Sequence, residues 1–548
     1  MLSTMQDVPL TVTRILTHGA TVHGHATVTT WTGDGEPNRR SFAEIGTRAV
    51  QLANALRDEL GVAEGDRVAT LMWNNAEHVE AYFAIPAMGA VLHTLNLRLP
   101  AEQLSFVVGH AADRVILVNG SLLPLLAPLL PGMASVEHVV VVGPGDTSVL
   151  DGCRPVVHAY EELIAGRPTR YDWPELDERQ AAAMCYTSGT TGDPKGVVFS
   201  HRSVYLHSMQ VNMAESLSLS YRDTTLPVVP MFHVNAWGIP HAAFMTGASM
   251  LLTDRFLQPA AIAEMIETER PTHAAAVPTI WQGLLTELAA KPRDISSLRN
   301  VTIGGSACPP SLMREFEERH GVTLCHAWGM TETSPLGTVS HPPIGLTDEE
   351  DWPYRITQGR FPASVEARLI GPDGEVMPWD GQSAGELEVR GPWIAGAYFG
   401  GVGHEPLVPE DKFHDGWLRT GDVGTISPDG YLTLTDRSKD VIKSGGEWIS
   451  SVALENLLMA HPDVAEAAVV AVPDEQWGER PLATVVLREG ATADYEALHT
   501  FLADRAARWQ LPERWAVIPS VPKTSVGKFD KKVIRQQYAD GELDVTRL

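Results

Sequence analysis

The sequence predicts an α/β protein: a long stretch built on a largely parallel sheet, a patch of antiparallel β, and a small α+β unit at the end. Three observations support this class. From residue 41 onward, short apolar runs alternate with segments of helical periodicity, the pattern of βαβ units. From about Ser364 the texture changes to short alternating strands divided by turns. Beyond the charged run Asp436-Arg437-Ser438-Lys439-Asp440 the chain carries its own α+β pattern, with enough residues for an independent unit.

Each element has a local reason. Ser41 and Glu44 form a capping box ahead of a helical stripe through Phe42, Ile45, Ala49, Leu52, Ala53 and Leu56. The Gly65-Asp66 turn leads into a strand from Arg67 to Met72, a helix from Ala76 to Met88 and a strand from Ala90 to Leu92. A helix from Pro100 to Gly109 and a strand from Arg114 to Val118 repeat the alternation, and the valine-rich run from Val136 to Val142 reads as a strand covered on both faces. Further on, helices are expected over Arg202 to Leu217, Pro259 to Arg270 and Ser311 to His320, and strands over Ala248 to Leu252 and His273 to Val277. The short strands Glu366 to Leu369 and Gly385 to Val389, around the turn Pro372-Asp373-Gly374, suggest a small barrel-like β subdomain over 364–436. In the last unit, helices are expected at Val452 to Met459 and Tyr495 to Ala507, and strands at Val464 to Val472 and Leu482 to Leu487. The expected division is 1–436 and 437–548.

Bulk properties narrow the class of partner. The chain has 548 residues, 44% hydrophobic and 20% charged, as a globular protein has. A formal charge of −26 argues against a nucleic-acid partner, so any polyanionic ligand must be gripped by local cations and backbone donors. Cys153, Cys185, Cys308 and Cys325 are scattered without metal-ligand spacing, as buried thiols of a reducing compartment are. There is no secretory signal and no apolar run long enough to span a bilayer, so a soluble cytoplasmic protein with at most peripheral membrane contact is expected.

The chemistry is concentrated in a few segments. Tyr186-Thr187-Ser188-Gly189-Thr190-Thr191-Gly192-Asp193-Pro194-Lys195-Gly196 lies between two apolar runs and packs hydroxyls, glycines and a lysine into one loop. Glycines turn backbone N–H groups toward one point, hydroxyls add donors and lysine adds charge, which together make an anion cradle. The order is not the Walker pattern. Four more segments stand out: Pro230-Met231-Phe232-His233-Val234-Asn235-Ala236-Trp237-Gly238; Gly304-Gly305-Ser306-Ala307 with His326-Ala327-Trp328-Gly329-Met330-Thr331-Glu332-Thr333; Trp417-Leu418-Arg419-Thr420-Gly421-Asp422 with Arg437 and Lys439; and Pro522-Lys523-Thr524-Ser525-Val526-Gly527-Lys528. Taken singly these have bland readings, as a linker, a core histidine, a turn or surface charge.

Taken together and in this order, the segments resemble those of adenylate-forming enzymes, the superfamily of acyl-CoA synthetases, luciferases and peptide-synthetase adenylation domains. The His233 segment and the stretch Lys443 to Ser450 are most similar to medium- and long-chain fatty acyl-CoA synthetases. The resemblance implies a large N-terminal domain of layered α/β sheets and a mobile C-terminal domain. It also implies ATP, Mg2+ and coenzyme A as ligands. By that resemblance, Thr187, Ser188, Gly189, Thr190, Thr191 and Lys195 hold phosphates; Gly305, Ser306, Ala327, Trp328 and Gly329 meet adenine; and Thr331 contacts the α-phosphate. Asp422 and Arg437 hold the ribose. Glu332, with Thr187, stands on the metal side. His233, Val234, Trp237 and Gly304 line the carboxylate and acyl pocket, with Trp237 gating an acyl tunnel and His233 counted with Glu332 and Lys528 among the catalytic residues. Lys528 catalyses adenylation, Lys439 is the hinge, and Lys443 with Trp448 belongs to a loop that faces the pantetheine channel after domain rotation. Family members commonly carry Tyr where Trp328 stands, so a stacking face is kept and a phenol is lost.

The implied reaction joins a carboxylic acid to coenzyme A through an acyl-adenylate. The acid is expected to be a medium- or long-chain fatty acid, with a short thioether acid such as methylthiopropionate, or an aryl acid, as the alternative. A phosphotransferase would also want a glycine-rich loop and magnesium, but would leave Lys528 without a task. Absence of a carrier domain before Leu548 favours a stand-alone ligase over a peptide-synthetase module. The resemblance further implies a homodimer through the N-terminal domains, with residues 11–40 contributing.

Overall fold

The computed structural model describes residues 3–33, 35–187, 193–371, 373–444, 447–523 and 529–548, with the backbone alone for Glu447 and Trp448. Among these residues the strands form three sheets, of seven, fourteen and six strands. The first runs, in spatial order, Val156–Ala159, His138–Val142, Val115–Asn119, Arg67–Leu71, Val91–Thr94, Ala181–Tyr186 and Gly196–Ser200. All neighbours are parallel except the last pair, a hairpin. Successive side chains enter different cores: Val68, Leu92, Leu117 and Ala183 join one, Ala69, Val91, Ile116 and Met184 another. That two-sided burial is why these strands read as unbroken apolar runs.

The fourteen-stranded sheet shares the first of those cores through Val28, Met250, Leu252 and Ala275, and turns Leu226, Leu251, Ala274 and Val301 to a third. Helices Val12–Val22, Phe42–Asp58 and Ala76–Ala87 contribute to the shared core, so they occupy the layer between the two sheets. Accordingly Ala76–Ala87 is buried at every position except Glu77. The capping box at Ser41 and Glu44 is formed in both directions. The layered α/β arrangement expected from the sequence is present. The segment from residue 11 to residue 40 is built into it, with Thr27–Thr30 pairing in parallel with Ser249–Leu252.

One strand decides where a site can form. Leu324–Gly329 pairs in parallel with Asn300–Ile303 on one side and antiparallel with Leu336–Val339 on the other, with a bulge between Trp328 and Gly329. The sheet switches there from parallel to antiparallel pairing, and the bulge re-aims the side chains at the end of the strand. The antiparallel strands expected over 364–436 are found as Glu366–Ile370, Gly385–Arg390, Trp417–Ile426 and Tyr431–Arg437. They do not stand apart. Gly359–Arg360 joins them to Leu336–Val339, so they extend the long sheet, and no pairing among the described residues closes Glu366–Ile370 back on it.

Two helices are shorter than their periodicity suggests. The one expected over Arg202 to Leu217 spans His201–Val211; Asn212 caps it and donates its side-chain amide to the Ala242 carbonyl at 3.0 Å. The one expected to reach Ala507 stops at Ala503. The last 110 or so residues form the six-stranded sheet, with its own cores on its two faces: Ile442, Val469, Val485 and Trp515 in one, Ala468, Val470, Leu482 and Ile534 in the other. Where this unit meets the long sheet, Asp436 accepts hydrogen bonds from the Ser451 backbone and hydroxyl, and Lys531 reaches both the Ser451 hydroxyl and, at 2.7 Å, Glu455. No helix among the described residues is long and apolar enough to cross a membrane.

Candidate active site

The loop rich in glycine and hydroxyls joins the hairpin strands Ala181–Tyr186 and Gly196–Ser200, as expected. Its neck is closed by Thr187, whose N–H donates to the Lys195 carbonyl at 2.9 Å while its hydroxyl accepts the Lys195 N–H at 3.3 Å. Ser188, Gly189, Thr190 and Thr191 lie outside the described residues. The Lys195 ammonium stands 5.1 Å from the centre of the Tyr398 ring, and the Tyr398 hydroxyl donates to Glu332 Oε1 at 2.6 Å. Burial first, and the Glu332 charge second, push the Tyr398 phenol above its ordinary range, so it remains a donor. Glu332 itself is 5% exposed, on the short turn Thr331–Thr333 that follows the switch strand.

The switch strand positions the next group. Trp328 donates its indole N–H to Asp422 Oδ2 at 2.8 Å, and Arg437 Nε lies 3.2 Å from Asp422 Oδ1. Asp422 and Arg437 face one another across the antiparallel pair Trp417–Ile426 and Tyr431–Arg437, which explains their spacing in the chain. Lys412 is drawn in as well: its ammonium donates to the Thr420 carbonyl at 3.2 Å, and burial lowers its pKa although Glu332 and Asp422 oppose the shift. His326, on the same strand, is buried against the same cavity, and its Nδ1 has no partner among the described residues. Burial brings that ring down to about 4.

The third group lies past Gly304. A β-carbon there would stand 2.8 Å from the Ala327 carbonyl oxygen and 3.5 Å from Trp237 Cη2, so only glycine lets the tryptophan and the switch strand approach. Trp237 is carried by an unusual piece of backbone. Val234, Asn235, Ala236, Trp237 and Gly238 all have positive φ, from 43° to 73°, a left-handed turn immediately after His233.

These groups share one cavity of about 880 Å³. Thr187, Lys195, His233, Val234, Trp237, Gly304, Gly305, Ser306, Ala327, Trp328, Gly329, Thr331, Glu332, Asp422, Arg437 and Lys439 all line it. Lys443 does not: it is exposed on strand Ile442–Ser444, paired with the backbone of Trp448, whose side chain is not described. Lys528 lies outside the described residues, while Lys523 and Phe529 on either side line the cavity, and Lys523 is held by Glu466 at 2.6 Å. Sequence reasoning passed over Tyr398, Lys412 and His207. Tyr398 and Lys412 sit in segments without a motif, and Lys412 reads as part of the charge run Glu410-Asp411-Lys412; only its nearness to Trp417–Asp422 hints at a role.

Comparison with known proteins fits this geometry. The model of the AMP-binding enzyme family matches residues 16–399, and that of the AMP-binding enzyme C-terminal domain matches residues 453–528. This chain belongs to the AMP-binding enzyme family. Within it, the chain is 44% identical over 546 residues to the 3-methylmercaptopropionyl-CoA ligase of Ruegeria pomeroyi, covering 98% of this chain and 99% of that one. It is 42% identical over 543 residues to the medium-chain-fatty-acid–CoA ligase of Ectopseudomonas oleovorans, covering 98% of each. Among solved structures, the anthranilate CoA ligase AuaEII in complex with anthranoyl-AMP superposes with a TM-score of 0.87 at 25% identity, over 98% of this chain and 100% of that one. This AMP-binding enzyme therefore shares both the fold and the two-part plan of ligases that work through acyl-adenylates.

Proposed function

We propose that this AMP-binding enzyme is an ATP-dependent acid–CoA ligase acting on an aliphatic carboxylic acid, either a medium- or long-chain fatty acid or a short thioether acid. The observation that carries the reading is the hold on Asp422. A buried carboxylate is oriented by Trp328 and Arg437 from both sides, as acceptance from two vicinal ribose hydroxyls requires. It stands in a cavity that continues past Gly304 to Trp237 and an apolar end. The thioether reading is favoured by the Ruegeria relative, matched over nearly its whole length.

The residues divide the work. An acid carboxylate oxygen attacks the α-phosphorus, the bond to pyrophosphate breaks, and the coenzyme A thiolate then displaces AMP from the acyl carbonyl, its proton passing to solvent. Two anions meet in the first step, so cations and donors aimed at the phosphates act chiefly on the transition state. Lys195 supplies charge beside the loop neck, Lys412 beside Glu332 and Asp422, and Lys528 supplies the adenylation lysine. The donor set suits Mg2+: Glu332 lines the cavity with only one oxygen tied to Tyr398, Thr187 offers a hydroxyl, and this ion takes few protein ligands beside phosphate and water. When bound it neutralises charge on the phosphates. In the same reading residues 1–436 form the adenylation domain and 437–548 a domain that turns about Lys439, taking Lys528 out and bringing Lys443 and Trp448 in. A homodimer completes the proposal, and sedimentation velocity tests it.

A panel of straight-chain, thioether and aryl acids, read by AMP, pyrophosphate and acyl-CoA, tests the function. AMP and pyrophosphate in equal amounts with an aliphatic acid are expected. Formation of ADP, or turnover confined to aryl acids, refutes the proposal.

A further inference from the structure

Part of the cavity wall is apolar and carries one buried histidine, while Thr279, Gln282, Thr286 and Thr302 line the same cavity. Val211, Leu217, Val234, Trp237, Pro335 and Leu336 form the apolar part, and His207 enters among them from the helix His201–Val211. His207 is 2% exposed. Its Nε2 accepts the Leu336 backbone N–H at 3.2 Å, so that nitrogen carries a lone pair and no proton. Leu336 is held from its other side by Trp393, whose indole N–H donates to the Leu336 carbonyl at 2.9 Å, which fixes the ring's anchor. Burial, with a smaller push from His241, lowers the imidazole to about 3 and keeps it neutral.

A neutral imidazole has one N–H, and with Nε2 accepting, it sits on Nδ1. No acceptor among the described residues meets that nitrogen, and the ring lines the cavity. The Gly238 backbone runs close to that edge of the ring, and a β-carbon there would stand 2.6 Å from Nδ1, so any other residue would cover the nitrogen. His207 thus brings an N–H without a protein acceptor to the stretch of wall formed by Val211, Leu217, Val234 and Leu336.

We propose that the Nδ1–H of His207 is a specificity-determining donor for the acyl group, selecting acids that carry a weak acceptor in the chain, a thioether sulfur or an ether oxygen, over all-methylene chains of equal length. The proposal rests on the acid–CoA ligase reading above and narrows its acid. A methylene placed against a buried N–H leaves that donor unsatisfied, and sites built around a hydrogen bond discriminate against ligands that lack it. A thioether is apolar enough for the rest of the wall and still offers sulfur lone pairs. One sulfur among methylenes meets both demands.

The test compares two near-isosteric acids, 3-(methylthio)propanoate and pentanoate, with the full-length enzyme, ATP and coenzyme A. Wild type is expected to favour the thioether by about tenfold in kcat/KM, the order of one modest hydrogen bond. His207→Gln, whose amide oxygen can take the Leu336 N–H while nothing replaces Nδ1, should bring the ratio close to one. His207→Asn, with its amide nitrogen near the Nδ1 position, should keep a ratio above one whatever its absolute rate. A wild-type ratio below two, or the same ratio in wild type and His207→Gln, overturns the proposal. AMP formation with neither acid, nor with any aliphatic acid in the wider panel, instead overturns the ligase reading on which it rests.

Discussion

Replacing Trp328 by phenylalanine keeps a flat ring in the cavity wall and removes a single N–H. In the wild-type site that N–H donates to Asp422 Oδ2 at 2.8 Å, and it is the only donor to that oxygen among the described residues. The other oxygen faces Arg437 at 3.2 Å, but the Arg437 side chain is 46% exposed, so solvent screens it. Asp422 is 5% exposed, which leaves little room for water to replace the lost donor. A hydrogen bond to a charged group contributes about 1.5–3 kcal/mol, more where its loss strands a buried partner, and this corresponds to about 10- to 150-fold. Trp328→Phe should therefore raise KM for ATP by that factor, with far smaller changes in KM for the acid and coenzyme A. AMP release measured against ATP, at saturating acid and coenzyme A, gives the number. Circular dichroism establishes that the variant is folded. A kcat/KM for ATP within twofold of wild type would refute the assignment of Asp422 to the ribose, or the claim that Trp328 holds it there.

Lys528→Ala is expected to abolish acid-dependent ATP–pyrophosphate exchange while preserving thiolysis of a supplied acyl-adenylate; equal loss of both half-reactions contradicts a lysine that serves adenylation alone. Gly304→Val forces a side chain toward the Ala327 carbonyl and Trp237, and overpacking of about 1–3 kcal/mol should lower kcat/KM for the acid by about 5- to 150-fold, so wild-type acid kinetics in this variant would remove Gly304 from the pocket wall. Glu455 supplies a pH dependence. Burial holds its carboxyl at about 7 in the fold, against 4.5 for an ordinary glutamate, in spite of Lys531 nearby. A raised carboxyl pKa means that the native state holds the extra proton, so stability is greatest below pH 4.5 and declines as pH rises toward 7. Urea midpoints at pH 5, 6 and 7 should fall for wild type relative to Glu455→Gln. Parallel profiles for the two proteins would show that this carboxyl does not titrate in the fold.

Much of this molecule is legible in its sequence because much of it is locally determined. The capping box at Ser41 needs only four consecutive residues, and the valine run at His138–Val142 announces two-sided burial by itself. The active-site segments are legible for another reason: each keeps its chemistry within ten residues or so, as the neck from Thr187 to Lys195 and the turn from Thr331 to Glu332 do. What escapes is pairing over distance. Nothing near Trp328 indicates that its indole meets a carboxylate 94 positions later, nor that the strands after Ser364 continue the long sheet instead of forming a separate unit. Tyr398, Lys412 and His207 share this fate. Their environment is assembled by strand order, so a buried lysine looks like surface charge and an anchored histidine like any other core residue.

The left-handed turn from Val234 to Gly238 gives the pocket a mechanical character. Four of its five residues carry a β-carbon, and each such residue held at positive φ costs about 1–2 kcal/mol. Together that is a sizeable part of the 5–15 kcal/mol by which an ordinary domain is stable. Glycines would relieve it, yet only Gly238 is one. Three of the four strained residues, Val234, Asn235 and Ala236, are each at most 5% exposed, so packing clamps the segment ahead of Trp237. Trp237 is thereby mounted on a stiff, pre-loaded post. On the ligase reading, an acyl chain reaching this part of the cavity meets a wall whose backbone stays in place, so any adjustment to the chain falls to the side chain.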